Sequence, residues 1–269
     1  KYKKKEIYNL NFFYFLLRKI FIFYKMKRII KLKNVRILIC NSINYATHAA
    51  IAARIAVANK IPLLIADDQF KIFRKIDNLN KDLFQIEMKK IKYFLKNSKQ
   101  IDFKKYLKKR YSGMLKTSYT SRSDVAIANK NKINLDKKKF LLKYFNNRKF
   151  KKIALITPHA FTDAVHGAGK RFIFENYYEQ FVQTIEFIYN YKKNDILWVI
   201  KPHPRSKDYK EEGQVEEVLK KFKKKNIILL DKKISTLSAI KISDLIITGR
   251  GSIGLEASSL GKKVIIAGY

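Results

Sequence analysis

Asp244-Leu-Ile-Ile-Thr-Gly-Arg-Gly-Ser-Ile-Gly-Leu-Glu-Ala257 passes from a strand-like run through a glycine turn straight into a helix-like run. That order is the signature of a β-α turn in a parallel sheet, whose ligands bind at the carboxyl ends of the strands. Gly249 to Gly254 spells G-x-G-x-x-G, so a dinucleotide fingerprint is the first reading to weigh. Two features count against it. The fingerprint belongs in the opening turn of its domain, and this one comes late. It also needs an acidic residue about 20 positions on. The next strand, Val264-Ile-Ile266, leads only to Ala267-Gly268-Tyr269. The chemistry of an anion site survives without NAD. The small residues Gly251 and Ser252 let a phosphate approach the backbone at the helix start, where the N–H groups, that of Ile253 included, favour an anion. The Ser252 hydroxyl adds a donor, and Glu256, one turn on, suits ribose hydroxyls. The plain alternative is a tight turn with Ser252 as N-cap and Glu256 on the surface.

Working outward, further β-α units lead up to this turn. Ile153 to Ile156 reads as a strand, Phe172 to Tyr191 as a helix, Ile196 to Ile200 as a strand, Val215 to Lys224 as a helix and Ile227 to Leu230 as a strand. Thr236 to Ile240 is a short helix, and the helix from Ser252 ends at Gly261. Nearer the amino terminus, Val35 to Cys40, the Ala-rich stretch Tyr45 to Asn59 and Leu63 to Ala66 form another β-α-β unit. Residues 70–111 read as mostly helical. Residues 129–152 are rich in Lys and Asn and lack a long apolar run, so an interdomain segment is expected there. The fold class is therefore α/β, with two Rossmann-like lobes: residues 1–148, on the acceptor side, and 149–269, on the donor side. The chain starts at Lys1 rather than Met and stops at Tyr269 just after a strand-like run. Both ends are expected to be those of a fragment, with the C-terminal lobe truncated.

Two further motifs lie just after strands. In Lys201-Pro202-His203-Pro204 the two prolines keep the backbone around His203 out of a helix. A histidine held at a strand end can donate to a phosphate, and Lys201 and Arg205 make the surroundings electropositive. The alternative is a shaped turn with His203 exposed. Thr157-Pro-His-Ala-Phe-Thr-Asp-Ala-Val-His166 places Asp163 with His159 or His166 for acid–base work or for holding an acceptor sugar. Its spacing matches no zinc pattern, and no metal is expected. In the first lobe Asn41, Ser42, Asp67 and Asp68 follow strands and are acceptor-side candidates by position. His48 lies in the Ala-rich helix, where a packed or surface histidine is the expected reading.

Composition narrows the class. The 269 residues are 47% hydrophobic, enough for a sizeable core. The single cysteine, Cys40, excludes a disulfide framework and a multi-cysteine zinc site. Lys and Arg number 59 against 22 Asp and Glu, a net charge of +37. Nucleic acid, anionic membrane and polyanionic substrates all become candidates. An AT-rich coding sequence would give the same Lys, Ile, Asn, Phe and Tyr abundance. Of the 59 basic residues 48 are Lys. Base reading prefers bidentate Arg, and the lysines are spread along nearly the whole length, so no specific nucleic acid is expected. Residues 1–40 hold 12 basic residues, one acid and nine aromatics. Their longest apolar run, Phe12 to Leu17, is broken by Arg18-Lys19, far short of the roughly 20 residues of a membrane span. The segment is read as a helix covering the first lobe's core, or as a surface helix docking on anionic lipid.

The motifs of the second lobe together resemble the capsule polysaccharide biosynthesis proteins, bacterial GT-B-like glycosyltransferases that include Kdo transferases. The segments that carry the resemblance are Ile196-Leu-Trp-Val-Ile-Lys-Pro-His-Pro204, Asp244 to Ala257, and Gly261-Lys-Lys-Val-Ile-Ile-Ala-Gly268. Phe161 to Tyr178 is similar to the family's upstream region. The resemblance covers roughly residues 153–269. Bacterial sialyltransferases and CDP-glycerol glycerophosphotransferases share similar pieces. Arg250-Gly251 stands where the family would have a pair more like Asn/Ser. The resemblance implies that His203 and Ser252 bind the donor's phosphate and that Glu256 contacts its ribose or base. It implies a nucleotide-sugar co-substrate, with a CMP-linked acidic sugar one such donor, and no separate cofactor. The implied acceptor is a glycan or lipid-linked glycan. The implied location is cytoplasmic, with docking on the inner face of the membrane as one form of it. A glycerophosphotransferase, a sugar-nucleotide epimerase and a basic nucleic-acid-binding protein are the competing readings.

Overall fold

The structure is a computed structural model that describes residues 10–40, 48–67, 72–77, 96, 133–145, 150–163 and 172–267. The chain divides into two compact units, Lys1–Ile91 and Lys92–Tyr269. Both are α/β, each with helices against a β-sheet.

In the first unit α1 (Leu10–Leu32) precedes β1 (Leu38–Cys40), α2 (His48–Ala58), β2 (Leu63–Asp67) and β3 (Ile72–Ile76). β1 and β2 pair in parallel through the α2 crossover. Ala50, Ala53 and Ala56 are buried. The absence of large side chains there lets α2 lie close over Cys40, Leu63 and Ile65. β3 runs antiparallel to β2, with Leu63 opposite Ile76. This corrects the helical reading of residues 70–111 at its start. Ile76 is buried in the core, and pairing along β2 outweighs helix propensity. α1 packs against α2 along a narrow contact. Only Ile30 of its 23 residues is buried, while Phe13, Phe15, Phe21 and Tyr24 are exposed. Among the described residues no helix is long and apolar enough to cross a membrane.

The second unit is a five-stranded, fully parallel sheet of β4 (Lys152–Thr157), β5 (Ile196–Ile200), β6 (Ile227–Leu229), β7 (Leu245–Thr248) and β8 (Lys263–Ile266). Its order is β6-β5-β4-β7-β8. The chain winds outward from β4 on one side, then returns and winds out on the other. The reversal falls between β4 and β7, the switch point at which such sheets hold ligands. α3 (Lys137–Phe145), α6 (Thr236–Ile242) and α7 (Ser252–Ser259) serve one face; α4 (Tyr177–Asn190) and α5 (Gln214–Lys221) serve the other. The period-2 alternation of the strands sorts the two cores. Ile153 and Leu155 enter the first and Ala154 and Ile156 the second. Phe140 of α3 is fully buried in the first core, although α3 lies inside the stretch read from sequence as interdomain. An isolated bridge between Ile133 and Ile234 holds the approach to α3 in place.

Local signals set the element ends. The Asn176 side chain accepts from the Glu179 amide at 2.8 Å, so α4 starts at Tyr177 rather than at Phe172 as the periodicity predicts. α1, α2 and α7 finish in the same way, with Asn34, Lys60 and Gly261 at φ of 47°, 57° and 72°. In each, the following amide returns to the last turn: Val35 to Ile30, Ile61 to Ala56, Lys262 to Ala257.

Asp244, just before β7, accepts from the Ile153 amide at 2.8 Å and from the Lys137 ammonium at 3.1 Å. Burial pushes its carboxyl pKa up, but the Ile153 hydrogen bond and Lys137 more than offset this and hold it below the ordinary value. A lowered native pKa stabilises above the unfolded value and ceases to do so as pH falls through the native one. Asp244→Asn is therefore expected to cost about 1–2 kcal/mol near neutral pH. The gap to wild type should shrink below about pH 4. Urea denaturation at several pH values checks both.

Candidate functional site

The strand ends of the second unit carry a cleft lined by Thr157, His159, Asp163, Lys201, His203, Tyr209, Thr236, Thr248, Arg250, Ser252 and Glu256, with Pro158, Pro202, Pro204, Gly251 and Ile253. It encloses about 140 Å³. A complete small-molecule pocket runs to roughly 300–1,000 Å³, so these strand ends supply only part of the space that such a ligand fills.

Each wall has its own support. After β4, Ala160 and Phe161 are buried. The amide and hydroxyl of Thr162 both donate to one oxygen of the buried Glu211 at 2.7 Å. This anchored loop sets His159 Nε2 at 2.8 Å from Asp163 Oδ2. The His159 ring packs on Tyr177, centroids 4.4 Å apart. The carboxylate fixes the imidazole tautomer, with the proton on Nε2 and the lone pair on Nδ1.

After β5, the Lys201 amide continues the ladder to Ile156 O, and the Lys201 ammonium, on a side chain 8% exposed, donates to Ile234 O at 2.7 Å. Lys201 thus ties the end of β5 to the segment before α6 while still lining the cleft. His203 Nδ1 accepts from the Arg205 amide at 3.3 Å, so the neutral ring carries its proton on Nε2. The ring stands edge-on to Tyr209 and to His159, at 5.6 Å and 6.1 Å between centroids.

After β7, the Thr248 hydroxyl can donate to Thr157 O at 3.0 Å, bridging the two central strand ends, or to Arg250 O at 3.1 Å. The three glycines of the turn have different causes. Gly251 has φ 123° and ψ 170°, a conformation open in practice only to glycine. A Cβ on Gly249 would lie 2.9 Å from Gln180 Oε1 and 3.2 Å from the Tyr177 ring. One on Gly254 would lie 2.8 Å from Ile266 Cδ1. Glu256 is 7% exposed, not the surface residue of the plain alternative.

The structure brings together Asp163, His159, Lys201, His203, Gly251, Ser252, Ile253 and Glu256 at one cleft. Arg205 is not among its lining residues, and its guanidinium pairs with Asp208 at 2.5 Å. Ser42, Asp68 and His166 lie outside the described residues, as does the side chain of Asp67 at the end of β2. His48 is exposed at the start of α2. Sequence reasoning passed over Arg250, Tyr209 and Thr236, which line the cleft, and Tyr177, which packs on His159 behind it. Arg250 was visible inside the motif; the others gave no local signal, because they arrive from elements that only the fold brings near. Burial pushes the Tyr177 hydroxyl pKa up, and a hydrogen bond and the charge of Arg250 draw it partly back. Among the described residues no three His, Cys, Asp or Glu are grouped to hold a metal.

No protein-family model and no curated protein matches the chain. Several solved structures are distantly similar. MnaA of S. aureus, solved with UDP, is 17% identical at a TM-score of 0.36 over 92% of this chain. The KpsC β-Kdo 2,4 transferase of Thermosulfurimonas dismutans is 13% identical at 0.43 over 82%. A Neisseria meningitidis UDP-GlcNAc 2-epimerase bound to UDP-GlcNAc is 15% identical at 0.34 over 92%. The chain spans 61%, 66% and 63% of their respective lengths.

The glycine geometry separates two substitutions. Gly251→Ala is expected to cost about 1–3 kcal/mol, because alanine is strained at that φ and ψ. Gly254→Ala should cost under about 1 kcal/mol, since the obstructing Ile266 methyl is the end of a flexible, exposed side chain. Paired denaturation curves check the ranking.

Proposed function

We propose that the chain is a nucleotide-sugar-dependent glycosyltransferase of surface polysaccharide assembly, with the donor's phosphate held in the cleft of the second unit. The observation that carries the reading is the His203 tautomer. With Nδ1 accepting from the Arg205 amide, a neutral His203 carries its proton on Nε2, the atom that donates to a phosphate oxygen in this reading. The glycine-only start of α7 lines the same cleft.

In the transfer step the acceptor hydroxyl oxygen bonds to the anomeric carbon as the bond from that carbon to the phosphate oxygen breaks. The electron pair leaves on the phosphate. His203 and the amide-rich first turn of α7 stabilise that charge as it develops. The acceptor proton goes to Nδ1 of His159, and Asp163, bonded to Nε2, stabilises the resulting imidazolium. On this proposal Glu256, which lines the same cleft, accepts from the ribose hydroxyls. In this reading the donor class is a CMP-linked acidic sugar such as Kdo, and the acceptor is a glycan or lipid-linked glycan. The site of action is the cytoplasm at the inner membrane face, where a charge of +37 would meet anionic lipid.

One observation favours a second reading. The cleft holds two carboxylates, Asp163 and Glu256, beside two imidazoles, which is also what moving a proton on and off a sugar carbon requires. A sugar-nucleotide epimerase would consume its donor without any acceptor.

Equilibrium binding of CMP, CDP, UMP and UDP tests the phosphate site. His203→Ala is expected to weaken the nucleotide that binds by about tenfold, the loss of one hydrogen bond to a charged group. Arg205→Ala should change it less than about threefold, as befits an exposed pair. Equal effects of the two substitutions would remove His203 from the site. Product formation that needs no acceptor would replace the transferase reading with the epimerase one.

A further inference from the structure

We infer that Arg250 is the cleft's receptor for a second anionic group of the donor, separate from the phosphate at His203. The inference rests on the nucleotide reading of the cleft and narrows it to donors that carry a further oxyanion.

The cations near the cleft are not equivalent. The Lys201 ammonium donates to Ile234 O within the protein. Arg205 is paired with Asp208 and is not part of the lining. Arg250 lines the cleft and takes part in none of the ion pairs found among the described residues. Its charge and hydrogen bonding act on the neutral hydroxyl of Tyr177, drawing down a pKa that burial raises. That hydroxyl positions the guanidinium without neutralising it. A guanidinium has five N–H donors in a rigid fork, so one neutral partner leaves most of them to serve a ligand. A half-buried cation outside any direct ion pair is costly, and an anionic ligand in contact with it offsets that cost.

The placement is also rigid. Tyr177 is 1% exposed and is wedged between the rings of Phe172, at 4.9 Å, and His159, at 4.4 Å. Gly249, the preceding residue, has no room for a Cβ against Gln180 and Tyr177, and Gly251 fixes the other side with its positive φ. The fork is therefore presented from a braced turn. A planar fork matches an oxyanion with two acceptor oxygens. Two donor groups supply one: the terminal phosphate of a nucleoside diphosphate, and the carboxylate of a CMP-linked acidic sugar. Tyr177 acts through Arg250 and is a positioning residue.

The test is equilibrium binding to the full chain of CMP, UMP, CDP, UDP and a CMP-linked acidic sugar. Wild type, Arg250→Gln, Arg250→Lys and Tyr177→Phe are compared, each with its thermal unfolding midpoint. The expected result is that wild type prefers a ligand with a second anion at least about tenfold over its monophosphate. A preference for CDP or UDP identifies the phosphate as the source; a preference for the CMP-linked acid identifies the carboxylate. Arg250→Gln should abolish that preference and leave monophosphate affinity within about threefold. Arg250→Lys should retain part of the preference, and so decides the matter if the Gln variant does not fold. Tyr177→Phe should reduce the ratio without changing monophosphate binding, which loss of packing alone would not do. Absence of any preference in wild type, or a preference that survives Arg250→Gln, overturns the assignment of Arg250 alone. Absence of all nucleotide binding in wild type overturns the nucleotide reading together with it.

Discussion

The second unit depends on a constraint placed on β4. It is paired in parallel on both edges, with β5 and with β7, and buried on both faces, with Ile153 to Ile156 at most 1% exposed. Such a strand has no solvent side on which to relax. Parallel pairing then brings the carboxyl ends of β4, β5 and β7 to one edge of the sheet. Pro158, Pro202 and Gly249 follow those ends within one or two residues, so each connection leaves the sheet at once. The cleft is what remains between three abrupt departures.

Much of this could be read in the sequence. The apolar runs of β4, β5 and β7 are short and bounded by Pro or Gly, and the last of them passes directly into helical spacing. That order alone gives a parallel sheet with a ligand edge. Residues next to strand ends were accordingly legible: His159, Asp163, Lys201, His203 and Glu256. The limits were equally physical. Tyr177 meets His159 only through the packing of α4 on the sheet, and nothing in the local sequence records that contact. Arg205 sits beside the right motif, but the turn after Pro204 carries it away to Asp208. β3 was hidden because Ile72-Phe-Arg-Lys-Ile76 acquires its strand character from pairing with β2.

The excess positive charge has little bearing on the cleft. Among the ionisable lining residues two cations, Lys201 and Arg250, face two carboxylates, Asp163 and Glu256, beside two imidazoles. The cleft is close to neutral although the chain carries +37. Its preference for anions must then come from direction rather than from bulk potential: oriented N–H groups, a fixed tautomer and a braced guanidinium. Such devices act at hydrogen-bond range and are screened little by salt, unlike a diffuse field of surface lysines.

The left-handed residues Asn34, Lys60 and Gly261 close α1, α2 and α7 with the same pair of returning amides. Each lies two to four residues before the next strand, at Leu38, Leu63 and Lys263. These joints have no slack. Adding one residue at any of them would invert the inside-outside order of the strand beyond it. At these three joints variation in length is excluded, and it is better accommodated at the opposite end of each sheet, where strands lead into helices. The architecture has in effect a fixed chassis and an adjustable rim, and changes of substrate preference over evolutionary time would be written on the rim.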